Sequence, residues 1–174
     1  PYYLKGRSYK NSKIKVSDKF LDGKIDTLSY EYYDQTVSED APDYSQVSRT
    51  DKFRFVNEML RNSNEDKIRT YVEYKPKERL DNFHINPFLP LRNAAKVGSF
   101  GDHRYYKYKG KPISEAYHLG LDLASVRADK IKLSNGGLVT YVGNNGIYGN
   151  MPIIDHGLGL TSLYAHCSSI NVNE

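Results

Sequence analysis

Three short apolar runs punctuated by glycine and asparagine constrain the fold of this chain more than anything else in it. Gly136-Gly137-Leu138-Val139-Thr140-Tyr141-Val142-Gly143 reads as a strand between glycines, Met151-Pro152-Ile153-Ile154-Asp155 as a second and Leu160 to Ala165 as a third. Asn144-Asn145-Gly146 between the first two carries hairpin-turn chemistry, on a stretch long enough to project as a loop. Strands this short, joined by turns rather than by helical crossovers, predict a mainly β, antiparallel sheet.

Composition changes near residue 86, where Asn86-Pro87-Phe88-Leu89-Pro90 forms a rigid connector that denies helix. The reading is therefore of two parts: residues 1–85, a small β-rich or α+β module, and residues 86–174, the antiparallel domain. Within the first part, Lys13 to Val16 and Ile25 to Tyr30 alternate as half-exposed strands around a turn at Asp22-Gly23. Gln35 to Arg49 is polar and aperiodic, a loop. Phe53, Val56 and Leu60 have helical spacing after Asp51, and Ile68 to Tyr74 alternates again until Pro76. Gly98-Ser99-Phe100-Gly101 opens a turn in the second part.

Charge narrows the function classes. Twenty-five Lys and Arg against 21 Asp and Glu leave a balance of +4, too mild and too scattered for a nucleic-acid surface but compatible with an anionic envelope polymer. No apolar run reaches membrane-spanning length. Cys167 is the single cysteine, so no intrachain disulfide forms. The chain opens at Pro1 without a methionine, as a fragment or processed form would, which leaves room for an upstream export signal.

Chemistry concentrates in Tyr117-His118-Leu119-Gly120-Leu121-Asp122. An imidazole and a carboxylate four positions apart converge on one divalent ion if the backbone turns, and zinc accepts both donors. In a strand, alternation would put the two on one face, opposite Leu119 and Leu121. A catalytic zinc holds three protein groups and a water, so a third ligand is required. His166, in Tyr164-Ala165-His166, is a candidate acid/base or oxyanion stabiliser; the bland alternative is an imidazole satisfied by backbone. His156 is its rival. Cys167 is a soft ligand, a nucleophile or, most commonly for one cysteine, small core filler.

Five segments in unbroken order carry a resemblance: Ser99-Phe100-Gly101-Asp102-His103-Arg104-Tyr105-Tyr106, His118 to Ser125, Gly146 to Asn150, Ile153 to Leu160 and Ser162 to Ser169. Together they resemble the M23 family of zinc metallopeptidases, of the LytM or lysostaphin type, across roughly residues 98–174. The resemblance implies a LytM-like antiparallel β domain, Zn2+ as cofactor, peptidoglycan peptides as partners and a periplasmic or extracellular setting. It implies an endopeptidase or carboxypeptidase that cuts cell-wall cross-links or stems. Carried over by motif, His118 and Asp122 are metal ligands, His166 is catalytic, Arg104 after Phe-Gly positions substrate, and His156 has no metal role. It also implies that residues 1–85 cover the substrate groove.

The family draws its third ligand and a second catalytic histidine from an HxH element downstream of Tyr-x-His, and Glu174 precedes that element. The expectation is a C-terminally incomplete peptidase domain, inactive by itself. The charged stretch Val126 to Lys132 also departs from the family's small, apolar strand. Two other readings compete with the enzyme: an inactive LytM-like module that binds peptidoglycan or activates a partner hydrolase, and a metal site completed by His156 or Cys167.

Overall fold

The computed structural model describes residues 9–73, 83–89 and 91–174. They fall into two compact units, Pro1–Arg61 with Ala95–Ala124, and Asn62–Ala94 with Ser125–Glu174.

In the first unit β1 (Asn11–Lys15) runs parallel to β3 (His103–Tyr108), which pairs antiparallel with β4 (Lys111–Tyr117). A separate pair joins β2 (Ala95–Gly98) to β5 (Asp122–Ala124), with Gly98 opposite Asp122. Helical chain covers the three-stranded sheet. Ser17 accepts the Phe20 amide and starts α1 (Asp18–Phe20), which continues through a π-helical segment, Leu21–Ile25, into α2 (Asp26–Thr36). Ser48 likewise caps α3 (Arg49–Arg54), followed by a second π-helical segment, Phe55–Leu60. Leu21, Ile25, Ser29 and Tyr33 recur every fourth residue and are all buried, as are Phe53, Phe55, Val56 and Leu60. Burying each large apolar side chain is worth about 1.5–3 kcal/mol, which fixes the helices on this face. The Phe53 ring rests 5.1 Å from that of Tyr106 on β3, and Asn57 Nδ2 donates to Ser114 Oγ of β4 at 2.8 Å.

In the second unit β6 (Leu138–Asn144), β7 (Asn150–Asp155) and β8 (Thr161–Leu163) form an antiparallel sheet in that order. The helix α4 (Arg61–Val72) packs Ile68, Tyr71 and Val72 against Tyr141, Met151 and Ile153. Asn64 on α4 is buried and fastens the β6–β7 connection: its side-chain oxygen accepts the Ile147 amide at 2.9 Å, and its carbonyl accepts Asn145 Nδ2 at 3.0 Å. Gly146 is required there, because its φ is +52° and a Cβ would lie 2.4 Å from Asn64 Oδ1. The connector at residue 86 is tied down in the same unit. Asn86 and Asn135 exchange two hydrogen bonds, and Leu89 donates to Ser134.

The mainly β, antiparallel expectation holds for the three strands of the second unit and for four of the first, β1 being the parallel exception. Two expected strands are helices. Asp26 to Tyr30 belongs to α2 and Ile25 ends the π-helical segment before it, which also contains Asp22-Gly23 in place of a turn, because the four-residue repeat from Leu21 to Tyr33 outweighs a short local alternation. Ile68 to Val72 is the end of α4, whose apolar face needs 3.6-residue spacing to reach Tyr141. Tyr74, Pro76 and Pro90 lie outside the described residues. Arg127 to Lys132 is not a strand either.

Candidate functional site

The end of β4 is pinned to the start of β3. The His118 amide donates to the Asp102 carbonyl at 2.9 Å, and the Gly101 amide donates to the His118 carbonyl at 2.7 Å. The chain then leaves the sheet, turns through Leu119 to Leu121 and re-enters extended structure at Asp122. His118 and Asp122 are therefore brought together by a turn, the first of the two expected routes, and not by one face of a strand. The His118 ring is largely covered while the Asp122 carboxylate is about half open. Gly98 faces Asp122 across β2–β5, and a Cβ there would sit 2.3 Å from Asp122 Oδ2. Glycine makes the space that this carboxylate occupies.

His118 Nδ1 lies 2.8 Å from the Ser99 carbonyl, which only accepts, so Nδ1 carries the hydrogen and Nε2 is the free donor atom of the neutral ring. Nε2 stands 3.0 Å from Asp122 Oδ1. A lone pair thus faces a carboxylate oxygen, an arrangement that only a proton or a cation between or beside them makes favourable. Zinc bonds to nitrogen and oxygen of about 2.0–2.2 Å set two tetrahedral ligands about 3.4 Å apart, close to the observed gap. The donor set fits two of zinc's ligands, and the carbonyl behind Nδ1 is the usual means of orienting a ligating histidine. Among the described residues no three His, Cys, Asp or Glu side chains gather as a metal-holding group.

Arg104 on β3 lies beside this pair. Its Nη2 is 3.4 Å from Asp122 Oδ2 and its Nε 3.3 Å from Asp102 Oδ2. Burial disfavours the guanidinium charge, but the Asp102 hydrogen bond, with Tyr106 and Asp122, more than offsets it and raises the pKa above the ordinary arginine value. Sequence reasoning gave no role to Asp102, Ser99 or Gly98, although all three flank the Phe-Gly turn. Nothing local marks them, since their importance comes from pairing across β2–β5 and β3–β4.

His166, His156 and Cys167 belong to the second unit. His156 is buried, donates Nδ1–H to the Gly136 carbonyl at 2.6 Å and accepts the Ser162 hydroxyl at Nε2 at 2.8 Å, with the Phe88 ring edge-on. Both nitrogens are committed to holding the sheet to its loop. His166 follows β8 in a bend with φ of +61°, its side chain exposed and its amide donating to the Tyr148 carbonyl at 2.8 Å. Cys167 pairs with Asn150 as an isolated bridge, and burial raises its thiol pKa, which leaves it a poor nucleophile.

Residues 116–174 match the model of Peptidase family M23. The DD-carboxypeptidase/endopeptidase Mpg of Neisseria meningitidis serogroup B is 31% identical over 94 residues, which are 53% of this chain and 20% of that protein. Mpg of Neisseria gonorrhoeae is 31% identical over 91 residues, 51% of this chain and 19% of that protein. The chain spans about a fifth of the length of these curated relatives. The matched segment contains His118, Asp122, His156 and His166, and over it this chain is similar to peptidase family M23.

Proposed function

We propose that the protein is a zinc-dependent peptidoglycan peptidase of the periplasm or cell exterior, cutting peptide bonds of cross-links or stems as an endopeptidase or carboxypeptidase. The observation that carries this is the convergence of His118 Nε2 and Asp122 Oδ1, two electron-pair donors at 3.0 Å with the ring's other nitrogen committed to a carbonyl. The carboxypeptidase and endopeptidase activities rest on the names of the Neisseria relatives, and the peptidoglycan substrate on the M23 resemblance. Among the described residues no helix is long and apolar enough to cross a membrane.

His118 and Asp122 would hold the zinc, with a third ligand drawn, as the M23 resemblance implies, from an HxH element. Bound zinc supplies Lewis acidity toward the scissile carbonyl and an acidified water. His166, an exposed residue, is assigned to move a proton at an imidazole nitrogen or to stabilise the developing oxyanion. Residues 1–85 are assigned a regulatory role ahead of a LytM-like domain at 86–174. Deleting them would remove β1 from the three-stranded sheet, so point substitutions outside Asn11–Lys15 are the cleaner test of that role.

The site is tested in the full-length natural protein by zinc analysis and muropeptide cleavage. Stoichiometric zinc that disappears in His118→Ala and Asp122→Ala, together with cleavage, is the expected result. Wild-type cleavage that survives both substitutions would remove the reading.

A further inference from the structure

The M23 resemblance gives Arg104 to substrate, but its contacts point inward. Asp102 is 4% exposed, and its Oδ2 is shared between Arg104 Nε and the Ser12 hydroxyl of β1, the latter at 3.0 Å. Its Oδ1 is buried with no hydrogen-bond partner among the described residues. The Asp102 charge therefore depends on Arg104, and the other arm of Arg104 reaches Asp122 Oδ2. Ser12 and Ala116 are the small cross-strand neighbours of Arg104, and Gly98 offers no Cβ on the far side, where one would lie 3.0 Å from Nη2. The guanidinium fork is thus set between two carboxylates at a fixed angle, which a planar arginine suits and a lysine does not. The backbone of Asp102 meanwhile holds His118 through the 2.9 Å amide bond.

We infer that Ser12, Asp102 and Arg104 are positioning residues for the metal-ligand pair: Ser12 and Asp102 orient Arg104, which holds Asp122 Oδ2 and leaves Oδ1 beside His118. This rests on the zinc reading above. It also makes β1, from the N-terminal part of the chain, a structural component of the site.

The test measures zinc affinity by competition with a chromophoric chelator in the full-length natural protein, alongside metal-free melting temperature and steady-state kinetics. Partners that orient a metal ligand typically contribute about 10- to 100-fold in affinity, so Asp102→Asn and Arg104→Lys should weaken zinc by that range. Ser12→Ala, which removes one hydroxyl and no charge, should weaken it severalfold while its metal-free melting temperature falls only by the small amount expected for one lost hydrogen bond, and it decides the matter if the charged variants fold poorly. Arg104→Lys keeps the charge, so its loss of zinc affinity would separate fork geometry from electrostatics. Zinc affinity equal to wild type in all three, with only KM raised for Arg104→Lys, would overturn the relay and return Arg104 to substrate binding while leaving the zinc reading intact. Wild-type protein without zinc affinity would overturn both.

Discussion

His118 and His156 start from the same design and end in opposite chemistry. Each donates Nδ1–H to a backbone carbonyl, Ser99 in one unit and Gly136 in the other, which fixes the tautomer and turns Nε2 outward as an acceptor. His156 Nε2 then meets the Ser162 hydroxyl, a neutral donor, and its hydrogen bonding is complete. His118 Nε2 meets a carboxylate oxygen of Asp122 in place of a hydroxyl, two atoms that can both give electron pairs to a positive centre. What separates the two rings is the identity of one neighbour, read together with the hydrogen bond on the opposite side of the ring, and on that difference rests the proposal that His118 is a ligand.

The strongest way to break that contrast is His118→Ala. It should abolish both zinc binding and muropeptide cleavage, as should a strong chelator on the wild-type protein, checked by metal analysis and product chromatography. Next, His166→Ala should lower kcat by about 100- to 1,000-fold, the usual effect of losing one transition-state donor, with zinc content unchanged. Normal turnover in that variant would strip His166 of its role. His156→Ala should do the reverse: it leaves the Gly136 carbonyl and Ser162 unpaired and should lower stability by about 1–3 kcal/mol in urea unfolding without reducing zinc content. Zinc loss in a folded His156→Ala protein would erase the distinction between the two rings. The smallest effect is expected from Ser162→Ala, about 0.5–1.5 kcal/mol of stability for one hydrogen bond, again with zinc retained.

Some of this was legible along the chain. The strands of the second unit announce themselves because Met151 to Ile154 is a continuous apolar run with buried faces on both sides, bounded by polar and turn residues. His118, Asp122 and Arg104 were singled out by the order of motifs, and the structure joins the three side chains through Asp122 by contacts of 3.0 and 3.4 Å. The helices of the N-terminal part were only half legible. Asp51 and the Phe53 spacing signal α3, whose cap is Ser48 three residues earlier, whereas the Leu21, Ile25, Ser29, Tyr33 repeat was obscured by a serine in a buried position and by Gly23 inside the helix. That serine is buried because the Tyr44 hydroxyl lies 2.8 Å away, a contact fifteen residues distant that no local pattern reveals.

The sequence by itself determined which side chains are available for chemistry and that glycine punctuates short strands, since both are properties of residue type and order. Only the tertiary structure decided that His118 meets Asp122 across a turn, that Arg104 faces two carboxylates, and that Ser12 donates to the carboxylate of Asp102, 90 residues further along the chain. The reason is physical: strand pairing between β1, β3 and β4 and between β2 and β5 sets these neighbours, and pairing register depends on which faces are buried, not on distance along the chain.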